Sequence, residues 1–343
     1  MRVSQNPSLK SFSTFGVPAT AGLMITLENE EDLLSLPSFN PERDLILGGG
    51  SNVLFVSDIP GTVIHNCLAG KEIVDVHGDH AWVEVGAGEN WHELVRWTLG
   101  QGLSGLENLS LIPGLAGAAP IQNIGAYGVE LAGVLETVTA WDLEKNNWRS
   151  FTLSQCELSY RDSLFKSGKP DRYLVCSMRL RLDTRYAAKL DYAGLYDELS
   201  RVGAETPSAL DVSDAVIRLR QRRLPDPAVT GNAGSFFKNP VIGREQAETL
   251  LDEFPGLPAW PAGDDEVKIS AAWMIEHCGF KGCREGAAGV SDKHALVLVN
   301  YGSASGRQIF QLAGTIQTAI HNTFGILLEP EPRLVNFKGD GNE

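Results

Sequence analysis

The stretch from Leu111 to Gly128, LIPGLAGAAPIQNIGAYG, constrains this chain more than any other. It holds four glycines, two prolines and four alanines, and no charged residue. Such a run has too many breakers for a long helix and too little polarity for a solvent loop. One explanation is backbone packed closely against a flat, partly apolar ligand, with the Gln122 and Asn123 amides hydrogen-bonding ring edges or phosphate oxygens. The other is a buried structural turn.

Two further segments carry the same mixture of glycine and polar groups. Leu45 to Leu47 reads as a strand that runs into Gly48-Gly49-Gly50-Ser51-Asn52, and Val53 to Val56 continues as a second strand. Such a turn can present backbone N–H groups to a phosphate, or serve only as a hairpin. A strand-like run follows it rather than a helix, so it is not a dinucleotide-binding fingerprint of the Rossmann kind. Gly231 to Pro240 reads GNAGSFFKNP. Between its two glycines and Pro240 lie a hydroxyl, two adjacent aromatic rings, a cation and an amide, which suggests an apolar pocket with a few placed polar groups. A Gly-rich turn into a core strand is the plainer reading.

Charge narrows the choice of partner. The 343 residues carry a formal net charge of −14, with 43% hydrophobic and 21% charged residues. So acidic a chain lacks the basic footprint of a general nucleic-acid binder, and an anionic substrate needs a local cluster of cations. One candidate is the helix that Asp211 can cap, whose apolar face is Val212, Ala215, Val216 and Leu219 and whose end carries Arg218, Arg220, Arg222 and Arg223. The four arginines either complement the helix C-terminus or, for one or two of them, clamp a diphosphate. Five scattered cysteines without a CxxC pair, and seven scattered histidines, give neither a disulfide framework nor a metal site. The N-terminus lacks the apolar core of a signal peptide, and no apolar run approaches the ~20 residues of a membrane span. The expected compartment is reducing and cytoplasmic.

The remaining pattern alternates strands and helices. Leu23–Leu27, Ala81–Val85, Leu174–Leu182, Ala295–Val299 and Ile326–Leu328 read as strands. Val134–Leu143 and Trp148–Leu153 read as a pair around the turn Glu144–Asn147. Helices are expected at Glu30–Leu36, from about Asn90 with Trp91, Leu94, Val95 and Leu99 on its apolar face, at Glu245–Phe254, from Ser270 to Gly279, and along Ile309, Leu312, Ile316 and Ile320 to Gly325. Arg161, within SYRDSLFK, can hold a carboxylate or lie over a ring system, or form a surface pair with Asp162. Glu329 follows an apolar run directly; if partly buried it is a candidate acid or electrostatic partner, and if exposed an ordinary strand-end carboxylate.

Taken together, STFGVPATA, LILGGGSNVLF, VGAGENWHELV, GLENLSLIPGLAGAAPIQNIGAYGVEL, SYRDSLFK, RRLPDP, GNAGSFFKNP and ILLEPEPRL closely resemble the UDP-N-acetylenolpyruvoylglucosamine reductase (MurB) family of peptidoglycan synthesis. The resemblance runs from about Ser13 to Leu334, and LDYAGLYDEL resembles the substrate-covering loop of its type I subgroup. It implies an α/β (α+β) fold: a FAD-binding unit of the vanillyl-alcohol-oxidase/PCMH type in two subdomains, plus a small C-terminal α/β substrate-binding domain. The implied domains are 1–66 with 326–343, 67–210 and 211–325.

The resemblance also implies a reaction. NADPH, as co-substrate, reduces a non-covalent FAD and leaves; UDP-N-acetylenolpyruvoylglucosamine then takes hydride at C3 and becomes UDP-N-acetylmuramate. Arg161 and Glu329 lie, by resemblance, at the substrate carboxylate, with Glu329 protonated or acting through a hydrogen bond, and Ser235 protonates C2. Cofactor contacts fall to Gly48, Gly49, Gly50, Ser51, Asn52, Val53, Gly114, Gln122, Asn123, Gly125 and Tyr127. Substrate contacts fall to Tyr192, Arg223, Lys238 and Asn239; the family often has Lys where Arg223 stands. The expected role is in cell-wall biogenesis, cell shape and cell division, as a monomer with no nucleic-acid or membrane partner. Two rivals are another FAD-dependent oxidoreductase of the same fold, oxidising alcohols or sugar acids, and a non-enzymatic nucleotide or flavin binder. Neither needs Arg161, Ser235 and Glu329 together.

Overall fold

The computed structural model describes residues 1–192, 194–203 and 206–335. The chain forms two compact units, each discontinuous in sequence. The first comprises Met1–Pro7, Ala21–Gly50 and Ile59–Gln221; the second comprises Ser8–Thr20, Ser51–Asp58 and Arg222 onward.

In the first unit, a four-stranded sheet has the order Arg2–Gln5, Ala21–Leu27, Ile59–Asn66, Leu45–Leu47. Only its first pair is antiparallel. A five-stranded antiparallel sheet has the order Asn147–Thr152, Leu135–Asp142, Tyr173–Asp183, His80–Gly86, Lys71–His77. Period-two alternation works as expected in strand His80–Gly86, where Ala81, Val83 and Val85 are buried. Ile25, Leu27 and Ile64 of the first sheet share a core with Trp141 and Leu174 of the second.

Helix Trp91–Gly100 starts where the Asn90 side chain accepts the Glu93 N–H, and it buries Trp91, Leu94 and Val95. The Trp91 indole N–H donates to the Leu109 carbonyl at 3.0 Å, so this buried ring is both core and tether. Helices Leu195–Arg201 and Ala209–Arg223 share a smaller core built on Leu195, Leu199, Val212, Val216 and Leu219.

In the second unit, strand Val53–Phe55 pairs in parallel with Arg333–Val335. Two three-stranded antiparallel sheets follow: Val241–Gly243, Glu266–Ile269, Ala259–Pro261, and Arg284–Glu285, Ala288–Val290, Leu298–Asn300. Helix Gly306–Phe324 opens on a Ser305–Gln308 capping box and closes on Gly325 at φ 65°. Its apolar stripe, Ile309, Leu312, Ile316 and Ile320, is fully buried.

Several expectations are corrected. Ile326–Leu328 is not a strand; the strand is Arg333–Val335. Ile326 and Leu328 are buried and Leu327 is exposed, which imitates strand alternation. Yet the Leu328 carbonyl accepts from the Gln317 side chain at 2.8 Å, and Pro330 and Pro332 remove ladder donors. The strand expected at Ala295–Val299 begins at Leu298, because the Val297 N–H turns back to the His294 carbonyl. Asp211 does not cap its helix. The helix starts at Ala209, and Ser208 and Asp211 bond reciprocally across its first turn. The brief helix expected at Glu30–Leu36 is present as a 3₁₀ helix, Glu30–Ser35.

The hairpin joining Leu135–Asp142 to Asn147–Thr152 is pinned by Asp142, whose side chain is buried. Its carboxylate accepts from Arg172 Nη2 at 2.9 Å and from the Glu144 and Lys145 N–H groups at 3.1 and 3.2 Å. Burial pushes the Asp142 pKa up, but the hydrogen bonds from Arg172, Lys145 and Glu144 and the Arg172 charge outweigh it and hold it below the ordinary 3.8. A depressed folded-state pKa confers stability that is complete above the unfolded value and lost as pH falls through the folded one. We expect Asp142→Asn to cost on the order of 2 kcal/mol at pH 7, and the wild-type advantage to shrink below about pH 3.8. Denaturant titrations of both proteins at pH 7 and in steps below pH 4 check this.

Candidate functional site

Two turns of the first unit meet backbone to backbone. Strand Leu45–Leu47 ends in Gly48–Gly50, with Gly50 at φ 60°, and the proline-glycine turn places Gly114 at φ 113°. A Cβ on Gly49 would lie 2.9 Å from Gly114 Cα and 3.2 Å from the Leu115 nitrogen. No side chain fits there without opening the contact. The Gly114 carbonyl accepts the Trp91 N–H at 3.0 Å and the Ala116 N–H donates to Glu89 at 2.8 Å, tying this turn to the start of helix Trp91–Gly100. The remainder of the sequence-predicted turn, Ser51, Asn52 and Val53, belongs to the second unit. There Asn52 Nδ2 donates to the Glu331 carbonyl at 3.3 Å, and the Asn52 carbonyl accepts from Arg333 at 2.9 Å.

Within the charge-free stretch, the Asn123 side chain is buried and spent inside the protein. Its Nδ2 donates to Glu130 at 2.9 Å and to the Ser159 carbonyl at 3.1 Å, and its Oδ1 accepts the Ala132 N–H at 3.0 Å. These bonds hold Asn123 at φ 44° and spend both N–H donors of its amide. Gln122, Gly125 and Tyr127 are half-buried.

Arg161 also has a left-handed backbone, at φ 57°. Its Nη2 donates to the Gly125 carbonyl at 2.7 Å and its Nη1 lies 3.5 Å from the Asn123 carbonyl. The charge-free loop therefore orients this guanidinium. The Tyr127 and Tyr192 rings meet edge to face at 4.8 Å, which brings together residues that sequence reasoning assigned separately to cofactor and substrate. Asn108 was not singled out in the sequence; its Nδ2 donates to the carbonyls of both Tyr127 and Lys189.

In the second unit, GNAGSFFKNP is built from the inside out. Phe236 and Phe237 are 0% and 1% exposed, so they anchor the segment and do not line a pocket, contrary to expectation. Phe15 packs edge to face on Phe236 at 6.2 Å. Gly231 lies against the Phe15 carbonyl, where a Cβ would collide. The Phe236 N–H donates to Leu296 at 2.7 Å, and the Asn232 side chain accepts the Gly234 N–H at 2.9 Å. Between the buried rings and this turn, Ser235 is half-buried, and its hydroxyl has no hydrogen-bond partner among the described residues.

The Phe236–Lys238 backbone pairs with Glu329–Glu331, through Lys238 N–H to Glu329 O at 2.9 Å and Glu331 N–H to Phe236 O at 2.8 Å. This pairing brings Lys238 Nζ within 3.0 Å of Glu329 Oε2. The Glu329 side chain is 72% exposed, so of the two readings of this carboxylate the exposed one holds. Asn239 Oδ1 accepts the Ala271 N–H at 3.0 Å at the start of helix Ala271–His277. Arg223 is exposed. Near it is His294, which the sequence gave no reason to single out; its Nδ1 accepts the Leu296 N–H at 3.2 Å. Burial first, then the charges of Arg223 and Lys281, push the His294 pKa below its usual value.

In the first unit, two glycine turns held backbone to backbone and an oriented guanidinium, Arg161, fit an anionic dinucleotide cofactor. A family model described as an FAD binding domain matches residues 22–142. A model described as UDP-N-acetylenolpyruvoylglucosamine reductase, C-terminal domain, matches residues 226–335. The chain is 47% identical over 340 residues to the UDP-N-acetylenolpyruvoylglucosamine reductase of Xanthomonas oryzae pv. oryzae strain PXO99A, covering 97% of this chain and 96% of that protein. The reductase of Xanthomonas campestris pv. campestris strain B100 gives the same identity and coverage. Among solved structures, the reductase (MurB) from Thermus caldophilus superposes with a TM-score of 0.68 at 26% identity, over 97% of this chain and 99% of that one.

Gly49→Ala forces the two turns apart, since the atoms it meets are backbone. A clash of that kind typically costs about 1–3 kcal/mol. We expect FAD affinity to fall roughly tenfold or more, while the sheets keep their circular dichroism. Fluorescence titration of apoprotein with FAD measures this.

Proposed function

Because the chain belongs to the UDP-N-acetylenolpyruvoylglucosamine reductase family, we propose that it reduces UDP-N-acetylenolpyruvoylglucosamine to UDP-N-acetylmuramate for peptidoglycan precursor synthesis, with FAD as cofactor and NADPH as electron donor. The observation that carries this reading is likeness to curated reductases along 97% of the chain. When bound, the flavin relays a hydride from NADPH to C3 of the enolpyruvyl group. The balance is one hydride at C3 and one proton at C2, with NADPH leaving as NADP⁺.

The roles of individual residues are our assignment. The Gly48–Gly50 turn and Gly114 hold the cofactor by backbone, with Ser51, Asn52, Val53, Gln122, Gly125 and Tyr127 around it, and Asn123 acts by shaping the loop. Arg161, held by the Gly125 carbonyl, orients its guanidinium fork on the substrate carboxylate and offsets the charge that builds up as C3 is reduced. Glu329 acts through a hydrogen bond. Lys238 already neutralises one of its oxygens, which lowers the repulsion between two carboxylates. Ser235 gives its proton to C2. A serine hydroxyl is a weak acid, so it serves only a strongly basic carbon and only if well placed. Its anchoring by buried Phe236 and Phe237 supplies that placement.

Tyr192, Arg223, Lys238 and Asn239 bind the UDP moiety. The three-part division into 1–66 with 326–343, 67–210 and 211–325 is proposed as the functional one; residues 336–343 lie outside the described residues. No described helix is long and apolar enough to cross a membrane. A cytoplasmic location follows from the use of NADPH and a UDP-sugar. We assign a monomer, since each role is filled from this one chain.

Ser235→Ala separates proton donation from the rest. Flavin reduction by NADPH should proceed at the wild-type rate, and anaerobic reoxidation by the enol ether should slow by about 10²–10⁴-fold. Stopped-flow absorbance of the two half-reactions reads this directly; equal slowing of both, or of neither, would remove Ser235 from the role.

A further inference from the structure

One buried amide in the first unit grips two loops at once. Asn108 is 1% exposed and sits in the 3₁₀ turn Glu107–Leu109. Its Nδ2 donates to the Tyr127 carbonyl at 2.8 Å and to the Lys189 carbonyl at 3.0 Å. Its Oδ1 is shut off from water and has no hydrogen-bond partner among the described residues. The turn that carries it is fixed. Leu106 and Leu109 are fully buried, the Leu109 carbonyl holds the Trp91 indole, and the Ser110 hydroxyl lies 2.8 Å from that of Ser213 on helix Ala209–Arg223.

The segment that Asn108 reaches is held by little else. At its root, the Asp183 N–H donates to the Ser104 carbonyl at 3.0 Å and the Thr184 N–H to the Asp79 carbonyl at 2.9 Å. Tyr186 and Leu190 pack on the small core of helices Leu195–Arg201 and Ala209–Arg223. Among the described residues, the Asn108 amide makes the sole hydrogen bond to the backbone of residues 185–191. Directly after this stretch stands Tyr192, its ring edge to face with Tyr127 at 4.8 Å. Asn108 thus joins the backbones of the same two loops whose rings meet. Burying an amide with an idle acceptor is costly, and a leucine would fill the same space without that cost. Such a residue is kept for its two donors.

We propose that Asn108 is a positioning residue for substrate binding: by holding the Tyr127 and Lys189 carbonyls together, it seats Tyr192 for contact with the uridine diphosphate sugar. This rests on the reductase reading and on the assignment of Tyr192 to the substrate. If wild-type holoprotein does not bind UDP-N-acetylenolpyruvoylglucosamine, that reading falls and takes the inference with it. If it binds, the following comparison decides the inference alone.

Binding of UDP-N-acetylenolpyruvoylglucosamine to the oxidised holoprotein, which has no hydride to give it, is measured by calorimetry for wild type, Asn108→Leu, Tyr192→Ala and the double variant. Asn108→Leu should weaken this binding roughly tenfold, the scale of a lost buried hydrogen bond or two, and keep FAD affinity within about threefold. On the Tyr192→Ala background the same substitution should cost less than about twofold, because the two residues act as one unit. Trypsin should cut after Lys189 at least about tenfold faster in Asn108→Leu than in wild type, since the stretch opens more often. A full tenfold loss on the Tyr192→Ala background would mean that Asn108 does not act through Tyr192 and would overturn the proposal. So would unchanged substrate binding in Asn108→Leu, cleavage after Lys189 at the wild-type rate, or a loss of FAD affinity as large as the loss of substrate affinity. Should Asn108→Leu fail to hold FAD, Asn108→Ser, too short to span both carbonyls, takes its place under the same criteria. Failure of both to hold FAD would make Asn108 part of the scaffold and overturn the proposal as well.

Discussion

The approach of Gly49 to Gly114 is the constraint on which the cofactor half of this protein depends. Two backbone turns come close enough that a Cβ on one would lie 2.9 Å from the Cα of the other. Side chains cannot stabilise such a contact, so the surrounding scaffold must. On one side the parallel pairing of Leu45–Leu47 with Ile59–Asn66 fixes where the first turn begins. On the other, helix Trp91–Gly100 captures the second turn through the Trp91 N–H, while the buried Trp91 indole grips Leu109. The charge-free composition of Leu111–Gly128 follows. Within that stretch Ala116, Ala119 and Ile124 are buried, and the Asn123 side chain is spent on Glu130, Ser159 and Ala132, which holds that left-handed residue in place.

A second theme is local positive charge in a chain of net charge −14. The cations named here are held in different ways. Arg161 is oriented by carbonyl oxygens, and Lys238 is paired with Glu329. Charge placed before the ligand arrives needs little reorganisation during reaction, which makes it effective against developing anionic charge. The chain's overall acidity does not oppose this, because exposed charges beyond about 10 Å are largely screened at ordinary salt.

Much of this was legible in the sequence where period and punctuation agreed. Helix Trp91–Gly100, the hairpin around Glu144–Asn147 and the long helix closed by Gly325 lie where alternation, caps and glycines put them. Ile326–Leu328 misled because alternate burial beside a helix produces the same pattern as a strand, and only the fate of the backbone carbonyls tells them apart. Phe236 and Phe237 suggested a pocket from composition alone; their burial is a tertiary property. The four arginines were alike in one dimension. Only Glu198, on another helix, sets Arg218 apart, by pairing with it. Pairings across long sequence separations, such as Lys238 with Glu329, left no local trace.

The most direct test is an anaerobic single turnover of the wild-type protein with bound FAD, reduced by one equivalent of NADPH and then mixed with UDP-N-acetylenolpyruvoylglucosamine. Flavin absorbance and product are followed together. The expected result is full reoxidation of the flavin, with one UDP-N-acetylmuramate formed per FAD. A flavin that ignores the enol ether and is reoxidised only when oxygen is admitted would contradict it.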